Sequence, residues 1–117
     1  MTNSACMAQI GPFLDAMQQI DSRLNIGINE ADFVSRVGTA QVNHDTIDTH
    51  AISGKCLDAG VKLEKGLNAY AKAATKWSHC VSQSSCTFRK INGFEQLQWA
   101  TAGLDITKAK TEISTLP

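Results

Sequence analysis

Residues 77–86 read WSHCVSQSSC, and His79, Cys80 and Cys86 are of types that bind metals, exchange electrons or cross-link a chain. Structural zinc sites usually space their cysteines two to four residues apart, in two pairs. Here five residues lie between Cys80 and Cys86, and no second pair lies nearby. Thioredoxin-type redox chemistry wants Cys-x-x-Cys beside a strand. The stretch has neither. A disulfide framework is what remains. The chain holds four cysteines, Cys6, Cys56, Cys80 and Cys86, which allow three connectivities.

The most ligand-rich stretch is NHDTIDTH, residues 43–50. His44 and Asp48 stand four apart, a spacing that puts both on one face of a helix and can hold a metal. The plainer expectation is a half-buried histidine with a hydrogen-bond partner near a helix end, and no metal or cofactor is expected. Histidine titrates near neutrality, which would make His44 pH-sensitive. Lys62, Lys65, Lys72 and Lys76 follow one helical face. Such a row is ordinarily a solvated surface, and it is also what an anionic lipid or polymer would meet. Met17, Leu67, Tyr70 and Trp99 are the candidate lining of a small apolar pocket between helices. The sequence has no Gly-x-Ser-x-Gly elbow, phosphate loop or His-Glu-x-x-His, and an enzyme is not expected.

These residues must be positioned by helices, because no segment alternates with the period of a strand. The first helix is expected over residues 4–24, with Cys6, Ile10, Phe13, Met17, Ile20 and Leu24 as its seam. Pro12 either kinks it or opens it after a short leading turn. Asn29 is an N-cap, with Glu30 and Asp32 in the first turn. The second helix then runs to about residue 51 along Phe33, Val37, Ala40, His44, Ile47 and Ala51. A third follows Ser53 and Gly54 to about residue 82, along Cys56, Leu63, Leu67, Tyr70, Ala74, Trp77 and Val81. Asn92 and Glu95 have the form of a capping box opening a fourth helix over residues 93–114. That helix has two apolar stripes. One is Phe94, Leu97, Thr101 and Leu104, the other Trp99, Ala102, Ile106, Ala109 and Ile113. Four long helices with short connections predict one all-α domain over residues 1–117, an antiparallel up-down-up-down four-helix bundle.

The bundle selects among the disulfides. Cys56 and Cys80 would lie about 36 Å apart on one helix at 1.5 Å per residue. A disulfide needs Cα atoms within about 7 Å, so Cys56–Cys80 is excluded, and the pattern with Cys6–Cys86 falls with it. Cys6 and Cys56 begin alternate helices and so share a pole, while Cys80 and Cys86 share the other. The predicted pairs are Cys6–Cys56 and Cys80–Cys86. Such bonds persist in oxidising compartments, which predicts a chain that is secreted or held at the cell surface.

Lysine plus arginine and aspartate plus glutamate number 11 each. A nucleic-acid binder usually carries a basic excess, so none is expected as a partner. The charge is nevertheless divided, near −4 over residues 1–54 and near +4 over residues 55–117. No stretch reaches the roughly 18 apolar residues of a membrane span. MTNSAC is too short and polar to be a signal peptide. Ser-Ala-Cys at 4–6 has the look of a lipoprotein cleavage site without the apolar run that should precede it. Met1 is expected to stand just after a removed export signal.

YAKAATKWSHCVSQSSC (70–86), followed by LQWATAGLDITKAKTEI (97–113), resembles small secreted helical proteins of actinomycete-type bacteria. SRLNIGINEADFVSRVG (22–38) fits the same pattern, so that the resemblance covers about two-thirds of the chain. It implies export and carries over no functional residue. The expectation is a non-enzymatic protein-binding or structural module of the cell envelope, partner unknown. The alternative is a carrier of a small apolar ligand. An exposed apolar patch over a filled core would favour the first, and a lined cavity the second.

Overall fold

A computed structural model describes residues 1–117 as four α-helices, α1 (Asn3–Ile26), α2 (Glu30–Asp45), α3 (Gly54–Val81) and α4 (Phe88–Ser114), with a 3-10 turn at Thr49–Ala51. Each starts after a residue in extended backbone. Thr2 accepts a hydrogen bond from the Ala5 N–H at 3.1 Å, and Asn29 accepts from that of Asp32 at 2.8 Å. These caps satisfy donors that the first helical turn leaves free. Gly27 ends α1 at φ 130°, a conformation that favours glycine.

Neighbouring helices run antiparallel. Arg23 and Arg36 share Asp32 between α1 and α2, at 3.3 and 3.1 Å. Their guanidinium groups, Arg36 first, hold the Asp32 carboxyl below the usual carboxylate range. Glu30 accepts from the Ser78 hydroxyl at 3.1 Å near one end of α2, while His44 meets Glu64 near the other. Lys62 pairs with Glu112, and Lys76 lies beside Phe94, which sets α4 against α3. The result is the expected up-down-up-down bundle, 52 × 22 × 19 Å.

The core follows the seams. Ile10, Phe13, Met17, Ile20, Phe33, Leu63 and Tyr70 have no solvent exposure. At about 25 cal/mol per Å² of apolar area, their burial is the main force holding the helices together. Gly66 lets α3 and α4 close up. A Cβ there would sit 3.5 Å from the Ala102 carbonyl and 3.2 Å from the Met17 methyl.

Both disulfides join the expected pairs, with Cα atoms 5.7 Å apart in Cys6–Cys56 and 5.1 Å in Cys80–Cys86. Of the two alternatives at Pro12, the leading turn is excluded, because α1 is one helix through it. Pro12 and Ala8 are exposed, where water can satisfy the carbonyl that lacks a proline donor. Two boundaries differ from expectation. α2 stops at Asp45 rather than near residue 51. The Thr46 hydroxyl donates to the Asn43 carbonyl at 2.8 Å, and Asp48 accepts from the His50 N–H at 3.0 Å. Such local bonds compete with the helix. α4 begins at Phe88, five residues before the expected start, because Thr87 provides the extended boundary and Asn92–Glu95 falls inside the helix.

Candidate interaction surface

The two apolar stripes of α4 have opposite fates. Ile91, Ala102, Ile106, Ala109 and Ile113 are buried against the other helices. Leu97 and Leu104 are 63% and 56% exposed, and Phe94 is 38% exposed. Thr101 lies between them, exposed, and donates its hydroxyl to the Leu97 carbonyl at 2.9 Å. A seam with steps of three, four and three residues is a helix-packing pattern, and nothing in the chain covers this one.

Beside the stripe runs the outer face of α3. The Lys76 ammonium lies 5.5 Å from the centroid of the Phe94 ring, in reach of the negative face of its π-system. Phe94 borders an open depression of ≈ 640 Å³ that Asn68, Ala71, Lys72, Thr75 and Lys76 also line. Lys65, Lys72 and Lys76 are exposed and have no carboxylate partner, whereas Lys62 pairs with Glu112. The expected lysine row is therefore divided, with one member in the seam between α3 and α4 and three facing solvent.

Directly after Phe94 comes Glu95, which is fully buried, and neither carboxyl oxygen has a hydrogen-bond partner. Burial pushes its carboxyl from an ordinary value near 4.5 up to about 7, against the opposing pull of the Lys76 charge. Read as a capping residue, Glu95 escapes notice in the sequence. The signal was its spacing, four after Ile91 and seven before Ala102, on the buried stripe.

The aromatic residues gather nearby. Phe33 lies 5.8 Å from Trp77 and 5.9 Å from Trp99, and Trp77 lies 4.9 Å from Phe88, centroid to centroid. Both tryptophans are half-buried, and the Trp99 indole N–H is buried without a partner. Of the residues expected to line a ligand pocket, Met17 and Tyr70 are fully buried, Leu67 is 5% exposed, and Trp99 belongs to the aromatic cluster. Burial, helped by the charge of Asp21, raises the Tyr70 hydroxyl well above its ordinary value.

In the polar stretch at 43–50, His44 is half-buried and hydrogen-bonded near a helix end, as expected, but the shared face with Asp48 is not formed. Because α2 ends at Asp45, Asp48 does not share a helical face with His44, and its carboxylate turns to His50. His44 is bound instead by Asp45 at Nδ1, 2.9 Å, and by Glu64 at Nε2, 2.8 Å. The Asp45 hydrogen bond, then Glu64, raise the imidazole above its ordinary value, against partial burial. Its ring packs edge-on against Phe13, with centroids 5.4 Å apart. A depression of ≈ 530 Å³ lies beside it, with Ile47, Ile52, Leu57 and Val61 in its wall. Asp45 and Glu64 take opposite nitrogens of His44, and no group of three or more His, Cys, Asp or Glu side chains is arranged to hold a metal ion. Cys80 and Cys86, the zinc candidates with His79, are consumed by their disulfide.

No protein-family model matches the chain, and no curated protein or solved structure matches it either.

Proposed function

We propose that the chain is an exported, non-enzymatic helical bundle that binds a protein partner through the outer face of α4. The observation that carries this reading is the exposed seam Phe94, Leu97, Thr101, Leu104 above a buried apolar core. Exposed large apolar residues scattered singly need no explanation, but a row of them at packing distance points to an interaction surface. Export rests on the two disulfides, which leave no free thiol. No helix is long and apolar enough to cross a membrane.

The test compares the wild-type chain with Leu97→Glu/Leu104→Glu, each immobilised and exposed to surface proteins of the producing cell. The reading expects a protein retained by the first and lost from the second, with both giving the same circular dichroism. An identical retained set on both would refute it.

A second reading, a carrier of a small apolar ligand, is favoured by the depression beside His44, where Ile47, Ile52, Leu57 and Val61 offer an apolar wall. Nile red fluorescence that rises on mixing and is abolished by Val61→Arg would support it. Fluorescence unchanged by the substitution would count against it.

A further inference from the structure

The exposed seam has unlike flanks. On the α3 side stand Lys65, Lys72 and Lys76, exposed and unpaired with any carboxylate. The contact of Lys76 with Phe94 sets one end of this row beside the seam. The Asp105 Cβ lies 3.5 Å from where a Cβ on Gly66 would stand, which sets Lys65 within one turn of the level of Leu104. Two parallel rows result, one apolar and one cationic, each about 15 Å long at 1.5 Å per residue. On the other side of the seam, α4 presents Gln96 and Ala100, both exposed and uncharged, while Lys90 and Lys108, also exposed, stand one turn beyond either end of the apolar row.

The acids of this half of the chain do not neutralise the row. Glu95 is buried, Glu64 is bound to His44, Glu112 to Lys62, and Asp58 lies in the first turns of α3, beyond the span of the seam. Asp105 is half-buried, its Cβ against Gly66.

Resting on the protein-binding reading above, we propose that this face receives an amphipathic helix of a partner protein, with acidic side chains along one edge of its apolar seam. The three-four-three spacing matches a helix laid alongside α4, and the cationic row selects the sign of the occupant's charge. One-sided charge also fixes which way round the occupant lies. A bilayer surface does not need the charge confined to one flank; an antiparallel second copy of the same face would bring lysines toward lysines, and a parallel one would leave both lysine rows without a countercharge.

The test uses the full chain with its disulfides intact and two synthetic three-heptad peptides. Both carry Leu at the seam positions, and one edge is Glu in the first and Lys in the second. Isothermal titration should show binding of the Glu peptide and none of the Lys peptide. Lys72→Glu/Lys76→Glu should weaken the Glu peptide by about tenfold or more, as reversal of interfacial charge pairs does. Equal binding of both peptides, or of neither, would overturn the proposal, as would co-sedimentation with phosphatidylglycerol vesicles in place of peptide binding. Concentration-dependent dimers in light scattering, abolished by Leu97→Glu, would overturn it in favour of self-association. If a natural partner is lost with Leu97→Glu/Leu104→Glu yet kept with Lys72→Glu/Lys76→Glu, the binding reading stands and the acidic helix is refuted.

Discussion

The ammonium of Lys76 lies over the ring of Phe94, 5.5 Å from its centroid, and its charge also bears on Glu95, the next residue along. One lysine thus lies against the exposed edge of α4 and acts through its charge on the buried acid behind it. The pH behaviour of the bundle is set in part at this junction.

Glu95 makes stability depend on pH. Its folded value of about 7 lies above the ordinary value near 4.5. Below about pH 4.5 both folded and unfolded chains hold the proton, and nothing is lost. As pH rises toward 7 the unfolded chain ionises first, so stability falls, and the loss is complete once the folded carboxyl has also ionised. At about 1.4 kcal/mol per pH unit the loss is at most about 3 kcal/mol. Glu95→Gln should therefore melt above the wild type at pH 8, and the gap should shrink on acidification to pH 4. A gap that does not change with pH would disprove the assignment.

His44 acts in the same direction over a higher range. Its raised value means that its bonds to Asp45 and Glu64 stabilise fully below the unfolded value near 6.5. That contribution is lost as pH rises through the folded value. Imidazole proton resonances should titrate above pH 6.5 for His44, and Glu64→Gln should move the midpoint downward. An unmoved midpoint would mean that Glu64 is not a partner in solution.

The two cross-links should differ in weight. Chain-entropy arguments assign about 4 kcal/mol to a bond closing fifty residues and about 2 kcal/mol to one closing six. The sequence separations are 50 for Cys6–Cys56 and 6 for Cys80–Cys86. Denaturant unfolding of Cys6→Ala/Cys56→Ala should show the larger drop in midpoint, and Cys80→Ala/Cys86→Ala the smaller. The reverse order would show that native contacts around residues 80–86 outweigh loop closure.

Two glycines should respond oppositely. A Cβ at Gly38 in α2 meets nothing within 4 Å, so Gly38→Ala should stabilise by up to about 1 kcal/mol through helix propensity. At Gly66 the Met17 methyl and the Ala102 carbonyl already crowd the position, and Gly66→Val should cost about 1–3 kcal/mol as α3 and α4 are forced apart. Thermal melts of the two variants check both signs.

Hydrophobic periodicity alone makes the bundle and its cross-links legible. Cys6, Ile10, Phe13, Met17 and Ile20 recur at helical steps, and all are buried. That regularity places Cys6 and Cys56 at one pole. Periodicity misleads where side chains compete with the backbone. Thr46 and Asp48 cut α2 short, and no seam pattern reports such local bonds. The interaction surface is half legible. Both stripes of α4 are visible in the sequence, but which one faces the core depends on how α4 rotates against α3. The close approach at Gly66 and the Lys62–Glu112 pair settle that rotation, and neither can be read from spacing alone. Glu95 is hidden because a charged residue on a buried stripe contradicts the composition rule that finds the stripe.

The Asn3 N–H donates to the Pro117 carbonyl at 2.8 Å, and the Asn3 side-chain amide donates to the Ile113 carbonyl at 2.9 Å. Both ends of the chain therefore leave from one tip of the rod. A tether fused to either end would orient it identically, projecting the Cys80–Cys86 tip and the aromatic end of α4 outward like the head of a short mast.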